Sequence, residues 1–265
     1  MTKSFRSPHQ IARRMTLLPL VARKVKNWPS FMYHYALGLT PRNGYFFRNG
    51  ARIKIGRGID HVPIIEIFLK EDYGAMPDNA VIVDLGANIG VFSVYAATTA
   101  HNVTVYAYEP SQEFCDLLVD NVRLNHQDKA VQCFNLAVAG KAEIRTLYVE
   151  GTDFYFPTLL GNDNQKTQET IAVKCTTLAD IIESNKLGKV DMLKMDCEGA
   201  EYEILYLTPP AYFTRIQEIR MEYHHIDTEV RNVEHLKKFL TENGYNITHT
   251  QATSDTNGNL WAKKL

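Results

Sequence analysis

From residue 80 onward the chain alternates short apolar runs with longer segments in which apolar residues recur every three or four positions. The short runs predict buried strands, and the recurring pattern predicts amphipathic helices. Because consecutive parallel strands need crossover connections, the alternation favours a mainly parallel α/β sheet. The predicted strands are 81–83, 103–108, 131–136, 144–149, 171–176, 190–195, 216–223, 245–250 and 260–264. The predicted helices are 89–98, 111–124, 178–185 and 230–243.

The last two predicted strands are joined by a turn-rich segment without a helix. A connection of this kind joins antiparallel neighbours, because parallel neighbours need a longer crossover. The sequence therefore predicts an antiparallel edge at the C-terminal end of the sheet.

The residues before this alternation follow a different pattern. Residues 10–39 read as short helices interrupted by prolines, and residues 45–55 predict a β-hairpin. The Asn49-Gly50 pair is expected to supply both positive-φ residues of a tight turn. Asp60 is predicted to cap a following helix that carries a proline in its first turn.

Charge divides the chain into the same two parts. The whole chain has 265 residues and a net charge of -1, with 45% hydrophobic and 11% aromatic residues, which excludes a disordered chain. Residues 1–60 nevertheless hold 12 of the 29 Lys and Arg residues and only one acid, Asp60. We therefore distinguish a basic N-terminal extension, 1–60, from a domain at 61–265. The extension either packs on the acidic body or forms a patch for an anionic substrate, nucleic acid or membrane lipid.

The apolar and cysteine content bounds the environment of the protein. No apolar run reaches 18 residues, and the N-terminal segment does not resemble a signal peptide, so neither a membrane span nor secretion is expected. The four cysteines are widely spaced, which argues against a disulfide framework or a zinc site. We expect reduced thiols in a cytoplasmic protein; the cysteines are Cys115, Cys133, Cys175 and Cys197.

A glycine-containing turn follows the first strand of the alternating region. It runs from Asp84 through Gly86 and Asn88 to Gly90, where a helix begins. Glycines allow the backbone to approach a ligand closely, and the helix N-terminus offers free N–H groups. Because Asn88 takes the place of the middle glycine of the dinucleotide motif, a smaller nucleoside ligand is favoured over a nicotinamide dinucleotide.

The next two strands end in residues that suit the same ligand. Glu109 follows the second strand, where an acid accepts hydrogen bonds from both ribose hydroxyls. Asn135 ends the third strand and is predicted to meet the adenine edge. Together with the glycine turn, Glu109 predicts a nucleoside site at the carboxyl edge of the sheet.

Three ordered segments carry a family resemblance. Val83–Gly90, Tyr108–Pro110 and Leu193–Glu201 together resemble the FkbM family of S-adenosylmethionine-dependent methyltransferases, from about residue 45 to the C-terminus. The resemblance implies the Rossmann-like class I methyltransferase fold, with seven strands and a reversed final strand. It also implies S-adenosylmethionine as donor, and O-methylation of a small molecule or a sugar. Cys197 departs mildly from the family pattern, which expects a residue such as Val.

The resemblance also assigns residues to the donor. Glu109 is expected to hold the ribose, and the glycine turn is expected to line the methionine end. The residues of this turn are Asp84, Gly86, Ala87, Asn88 and Gly90.

An acidic cluster is expected to face the transferred methyl group. Asp196 and Glu198 follow one strand, while Glu222 and His224 share a face of the next. Glu201 is interpreted as a partner of the helix dipole. We expect Asp196 or His224, with Glu198 as a further candidate, to act as general base. The alternative is a divalent cation bound by Asp196, Glu198 and Glu222, which we do not expect to be required.

The basic extension leaves alternatives open. It raises an RNA-directed 2′-O-methyltransferase, although no RNA-binding module is recognisable and nucleic acid is not the expected partner. A catalytically inactive binding protein of the same fold is a second alternative. Peripheral membrane contact through residues 1–60 is a third interpretation of the charge, and Arg52, Lys54 and Arg57 could instead close over the cleft. The sequence makes no prediction of the oligomeric state.

Overall fold

The computed structural model describes residues 16–57, 60–149, 158–160 and 169–265. The helices are α1 (Leu18–Lys24), α2 (Trp28–Leu37), α3 (His61–Pro63), a π-helix (Ile64–Lys70), α4 (Val91–Thr99), α5 (Gln112–Leu124), α6 (Leu178–Ser184), α7 (Glu201–Leu207), α8 (Pro210–Phe213) and α9 (Val233–Glu242). The strands are β1 (Tyr45–Phe46), β2 (Arg52–Ile53), β3 (Val81–Leu85), β4 (Thr104–Tyr108), β5 (Val131–Phe134), β6 (Ala137–Val138), β7 (Ile144–Val149), β8 (Glu169–Thr176), β9 (Met192–Met195), β10 (Glu218–His224), β11 (Tyr245–Ala252) and β12 (Asn257–Lys264).

Seven of these strands form the central sheet, in the order β11-β12-β10-β9-β3-β4-β5. The pairs from β10 to β5 are parallel, whereas β12 runs antiparallel to both β10 and β11. Residues of β9 are buried throughout, as expected for a central strand that helices cover on both faces. The predicted fold class, with its antiparallel C-terminal edge, is confirmed.

Two of the predicted strands lie outside this sheet. β7 and β8 pair antiparallel with each other, and β8 also pairs with the short β6. The connection between β7 and β8 was predicted as a loop without a helix. Such a connection suits antiparallel neighbours, which here form a separate small sheet. Most of the polar loop predicted at 151–170 lies outside the described residues.

The hairpin is present, but its turn differs from the prediction. Tyr45 faces Ile53, and the N–H of Phe47 donates to the carbonyl of Ala51. Only Gly50 has a positive φ, at 99°, and Asn49 does not. The prediction of two positive-φ residues was wrong because the connection has three residues and needs one left-handed residue at its end.

The helical prediction after Asp60 is confirmed in position and corrected in detail. Asp60 does not cap α3 with its side chain. Its Oδ2 instead accepts hydrogen bonds from the N–H groups of Gly56 and Arg57, both at 2.8 Å. The chain then continues into the π-helix, where i→i+5 bonding widens the turn.

The described part of the basic extension packs on the domain. Val21, Phe31 and Ile53 are fully buried in the same apolar core as Ile82 and Phe92. Ion pairs also join it to acidic residues of the domain, namely Lys24–Glu71, Lys54–Asp120 and Arg57–Glu113. These contacts favour the interpretation that the basic extension packs on the acidic domain. They do not favour the alternative in which Lys54 and Arg57 close over the cleft. Within the described residues, no helix has both the length and the apolar content that a membrane span needs.

Candidate active site

A buried ion pair holds the glycine turn. Lys194 on β9 lies beside Asp84 on β3, and its Nζ is 3.1 Å from Asp84 Oδ1. The same Nζ donates to the carbonyl of Gly86 at 2.8 Å. Burial lowers the pKa of Lys194, but the negative charges of Asp84 and Asp196 and the hydrogen bond to Asp84 together outweigh it and raise the pKa above its ordinary value. Lys194 therefore stays charged and fixes the turn. Sequence analysis gave it no role, although a lysine within a buried strand was a usable signal.

Not all residues of the turn that were predicted to bind the methyl donor face a pocket. Asp84 is fully buried behind the turn and also accepts from the hydroxyl of Ser93 at 2.6 Å. Gly86 has a φ of 71°, and a Cβ there would lie 1.9 Å from the carbonyl oxygen of Asp196. Gly90 directly precedes α4 as its N-cap residue, and a Cβ there would meet Leu118 at 2.5 Å. Both glycines thus serve close packing of the turn.

A pocket of about 590 Å³ opens beside the turn, where the donor site is predicted. Glu109, which is only 4% exposed, lines it together with Gly86 and Asn88. The carboxylate of Glu109 accepts from the N–H groups of Asn88, at 2.8 Å, and Ser111, at 2.9 Å. Burial raises the pKa of Glu109 to about 7, while these backbone hydrogen bonds oppose the rise. Because a carboxylate has further lone pairs, Glu109 is still able to accept from a ribose diol.

The remaining walls of this donor pocket fit a nucleoside. They combine the carboxylate of Glu109 with apolar side chains that suit a base, and the latter include Tyr108, Phe114, Val138, Leu147 and Leu159. Asn135 is not among the lining residues, and its amide donates to the carbonyls of Glu109 and Pro110, both at 3.0 Å. Its adenine contact stays a prediction. S-adenosylmethionine would be held here chiefly by Gly86, Asn88 and Glu109.

A second pocket of about 680 Å³ shares a wall with the first. We call it the acceptor pocket. Gly86, Asn88, Asp196 and Glu198 line both. The other polar residues of the acceptor pocket are Glu66, Lys194, Glu222, His224 and Asn257, and Ala87 lines it on the side of the turn. The structure thus brings the predicted acidic cluster together, directly beside the donor pocket.

His224 lies between two carboxylates. Its Nε2 is 3.2 Å from Glu198 Oε2, and its Nδ1 is 3.2 Å from Glu201 Oε1. Glu201 is fully buried and also accepts from the N–H of Cys197 at 2.8 Å, so it does more than face the helix dipole. Burial lowers the pKa of His224, but its hydrogen bonds to Glu198 and Glu201 raise it to about 12. The imidazole is therefore protonated at neutral pH. This geometry favours Asp196 over His224 as the proton acceptor.

Glu66 was missed by sequence analysis. It lies on the π-helix, a kind of turn that is frequent at functional sites, and it lines the acceptor pocket. Neighbouring residues of the π-helix, including Ile65 and Ile67, are buried. The signal in the sequence was a single acidic residue within the apolar run 62–69. A helix that faces the core rarely carries an acidic residue without a partner.

Two carboxyl groups of the acceptor pocket predict a pH dependence of stability. Burial, followed by the charge of Asp196, raises the pKa of Glu66 to about 7 and that of Glu222 to about 8. At a pH above 4.5, the ordinary pKa of a glutamate, the unfolded chain has lost protons that the folded chain keeps. The free energy of unfolding is therefore expected to fall as pH rises from 4.5 through about 8. Thermal melts across this range should show a shallower fall for Glu222→Gln. An unchanged slope in that variant, equal to that of the exposed control Glu229→Gln, would contradict the prediction.

Residues 84–247 match the model of the methyltransferase FkbM domain. Methyltransferase sdnD of Sordaria araneosa is 27% identical over 217 residues, covering 68% of this chain and 79% of that protein. The 31-O-demethyl-FK506 methyltransferase FkbM of Streptomyces tacrolimicus is 27% identical over 175 residues, covering 56% of this chain and 66% of that protein.

Among solved structures, the chain is similar to a precorrin-6y C5,15-methyltransferase of Geobacter metallireducens. The identity is 13% and the TM-score 0.45, over 85% of this chain and all of that one. The domain model spans more than half of the sequence and includes the glycine turn, Glu109, Asp196 and His224. The chain therefore belongs to the FkbM family of S-adenosylmethionine-dependent methyltransferases.

Proposed function

We propose that the protein transfers a methyl group to a hydroxyl oxygen of a small-molecule or carbohydrate acceptor held in the acceptor pocket. One observation carries the proposal: Asp196 lines both pockets, and its Oδ1 is buried without a hydrogen-bond partner among the described residues. A buried acceptor atom without a donor is costly unless a ligand supplies one. A hydroxyl group supplies such a donor.

Asp196 has the position that proton removal requires. When bound, S-adenosylmethionine supplies a methyl group on a positively charged sulfur, which becomes a neutral thioether once the acceptor oxygen has taken the methyl group. Asp196 accepts the proton that the hydroxyl loses. Burial raises the pKa of Asp196 and so makes its carboxylate a stronger base, while Lys194, whose Nζ is 3.9 Å from Asp196 Oδ2, opposes the rise. The two pockets together align the acceptor with the donor.

His224 and Glu198 affect this site through their charges and do not take the proton. The imidazolium is fixed by Glu198 and Glu201 and has no free lone pair with which to take a proton. Its positive charge instead favours the ionised form of Asp196. We therefore assign His224 as a positioning residue and Asp196 as the base.

A divalent cation is the alternative for the same side chains. The predicted set was Asp196, Glu198 and Glu222, but among the described residues His224 takes the place of Glu222: Asp196, Glu198 and His224 each offer one ligand atom, all within 4.8 Å of one another. A cation would have to displace the hydrogen bond between His224 and Glu198, so we propose that transfer does not require one. Loss of activity in EDTA that magnesium restores would support the cation instead.

Two further points support a hydroxylated small molecule. The name of the Streptomyces relative describes an acceptor that lacks a methyl group on an oxygen, which favours the same bond here. The acceptor pocket of this chain carries four carboxyl groups, those of Glu66, Asp196, Glu198 and Glu222. In their ionised form these groups repel a phosphate backbone, so an RNA acceptor is not proposed.

The site of methylation is directly measurable. The protein is incubated with S-adenosylmethionine carrying a ¹³C methyl group and a pooled panel of hydroxylated sugars, polyols and amino alcohols. We expect a product whose labelled carbon has the NMR shift of a methyl ether. A labelled N-methyl or C-methyl product would contradict O-methylation. Absence of any product, with donor binding intact, would favour an inactive binding protein.

Donor binding provides a separate prediction. Glu109→Ala is expected to weaken S-adenosylhomocysteine binding by about tenfold or more, roughly 1.4 kcal/mol, because the ribose loses its acceptor. Isothermal titration calorimetry measures this, with NAD as a ligand expected not to bind. The control Glu113→Ala removes an exposed carboxylate in the first turn of α5 and should leave the affinity unchanged. Equal affinity of Glu109→Ala and wild type would refute the ribose assignment.

A further inference from the structure

The acceptor pocket contains more negative than positive side chains. Its cations are Lys194 and His224, and each already faces a carboxylate behind the wall. Lys194 Nζ is 3.1 Å from Asp84, and His224 Nδ1 is 3.2 Å from Glu201. Six carboxyl groups thus surround two cations in this part of the described structure: Glu66, Asp84, Asp196, Glu198, Glu201 and Glu222.

Two of these carboxyl groups have no strong partner of their own. The side chain of Glu66 makes no hydrogen bond or ion pair with a described residue, and Glu222 has only the amide of Asn257, at 3.4 Å. Neither residue lines the donor pocket. Their carboxyl groups therefore face the acceptor pocket.

The position of the pocket points to a ligand independently of the acidic side chains. A methyltransferase must hold an acceptor next to the donor, and the acceptor pocket shares four wall residues with the donor pocket. On that shared wall, Asp196 Oδ1 is buried without a hydrogen-bond partner. The reaction thus requires an occupant here, and the walls define its chemistry.

We propose that the acceptor carries a protonated amino group in addition to its hydroxyl group, and that Glu66 and Glu222 bind this ammonium. The proposal rests on the proposed function, because it describes the acceptor of the same reaction. An ammonium offers donors and a positive charge to two partly desolvated carboxylates that otherwise repel each other.

The two ends of such an acceptor have separate roles. A protonated amine has no lone pair, so it is not methylated while Glu66 and Glu222 hold it. The hydroxyl group then faces Asp196 on the wall that both pockets share. Glu66 lies outside the matched domain, residues 84–247, so this specificity comes in part from the segment that precedes it.

Bisubstrate analogues test the proposal without knowledge of the natural acceptor. Three compounds share the S-adenosylhomocysteine framework with nitrogen in place of sulfur. They differ only in a short alkyl arm on that nitrogen, which ends in an ammonium, a hydroxyl or a carboxylate group. Their affinities are measured by calorimetry at neutral pH, beside S-adenosylhomocysteine itself. We expect the ammonium compound to bind about tenfold or more tightly than the hydroxyl compound, and the carboxylate compound to bind most weakly.

Variants assign the effect to the two glutamates. Glu66→Gln and Glu222→Gln should each remove most of the ammonium preference while leaving S-adenosylhomocysteine affinity within about threefold of wild type. The control Glu71→Gln removes a half-exposed carboxylate directly after the π-helix, where it pairs with Lys24, and should keep the full preference. Thermal melts verify that each variant is folded.

The outcomes separate this proposal from the proposed function. If the ammonium compound binds no tighter than the hydroxyl compound, or if its advantage persists in both glutamine variants, the amino-group proposal is wrong while the donor site stands. If S-adenosylhomocysteine fails to bind wild-type protein, the donor assignment fails, and this proposal fails with it.

Discussion

Replacing Asp196 by asparagine is expected to lower kcat about 10²–10⁴-fold, the range that a positioned general base contributes. Asparagine keeps the size of the side chain but cannot take a proton. It also reduces the repulsion that Asp196 exerts on Glu66 and Glu222, so the variant should be at least as stable as wild type. Transfer of label from the methyl group of S-adenosylmethionine to the pooled acceptors measures the loss.

Donor affinity separates catalysis from binding in this experiment. S-adenosylhomocysteine should bind Asp196→Asn within about threefold of wild type. Asp255→Asn is a matched control, because Asp255 is an exposed carboxylate in the turn between β11 and β12, outside both pockets. An Asp196→Asn protein with wild-type turnover would remove Asp196 as the base.

Replacing Lys194 by methionine is expected to cost about 3–5 kcal/mol of the free energy of unfolding, because it leaves Asp84 as an unpaired buried carboxylate. Lys194 is 2% exposed and Asp84 is fully buried, so water cannot compensate for the missing charge. For a chain of this size the loss corresponds to a fall in Tm of roughly 6–20 °C. Calorimetry or circular dichroism measures it.

A second substitution distinguishes lost charge from lost packing. Asp84→Asn combined with Lys194→Met removes both charges and should recover much of the stability lost in Lys194→Met alone. Lys189→Met is the control, since Lys189 is 60% exposed and pairs with Asp191 near the start of β9. It should cost less than about 1 kcal/mol. A Lys194→Met variant as stable as this control would show that the buried pair does not hold the glycine turn.

Lys194→Met is also expected to disturb the glycine turn at the donor site. Lys194 Nζ holds the carbonyl of Gly86, and the N–H of Asn88 reaches Glu109. The glycine turn is therefore fixed from both sides, by a buried cation and by a buried carboxylate. Such fixed turns present their backbone to a ligand without further ordering, which favours binding.

Much of the architecture was determined by local pattern. Mainly apolar runs of three to eight residues predicted β3, β4, β9 and β10, because strands buried on both faces have near-continuous apolar sequences. Periodic apolar residues predicted α5, and Ser111 caps it with a hydrogen bond from the N–H of Phe114. Helix and strand types depend on neighbours in sequence, so sequence analysis could reach them.

Boundaries and pairings depended on more distant contacts. The connection of the first hairpin has three residues, because Phe47 pairs with Ala51. β7 and β8 form their own small sheet with β6. Asp60 closes the loop at Gly56 and Arg57 and leaves α3 uncapped. In each case the outcome depends on pairings and contacts that the local pattern does not specify.

The sequence by itself determined the α/β class, the glycine turn, the position of Glu109 and the acidic residues that follow two strands. Only the tertiary structure decided which partners those residues have. It placed Lys194 against Asp84, enclosed His224 between Glu198 and Glu201, and brought Glu66 to the acceptor pocket from a segment about 130 residues before Asp196. The physical reason is that charge and protonation depend on burial and on partners within a few ångströms, which residues remote in sequence supply.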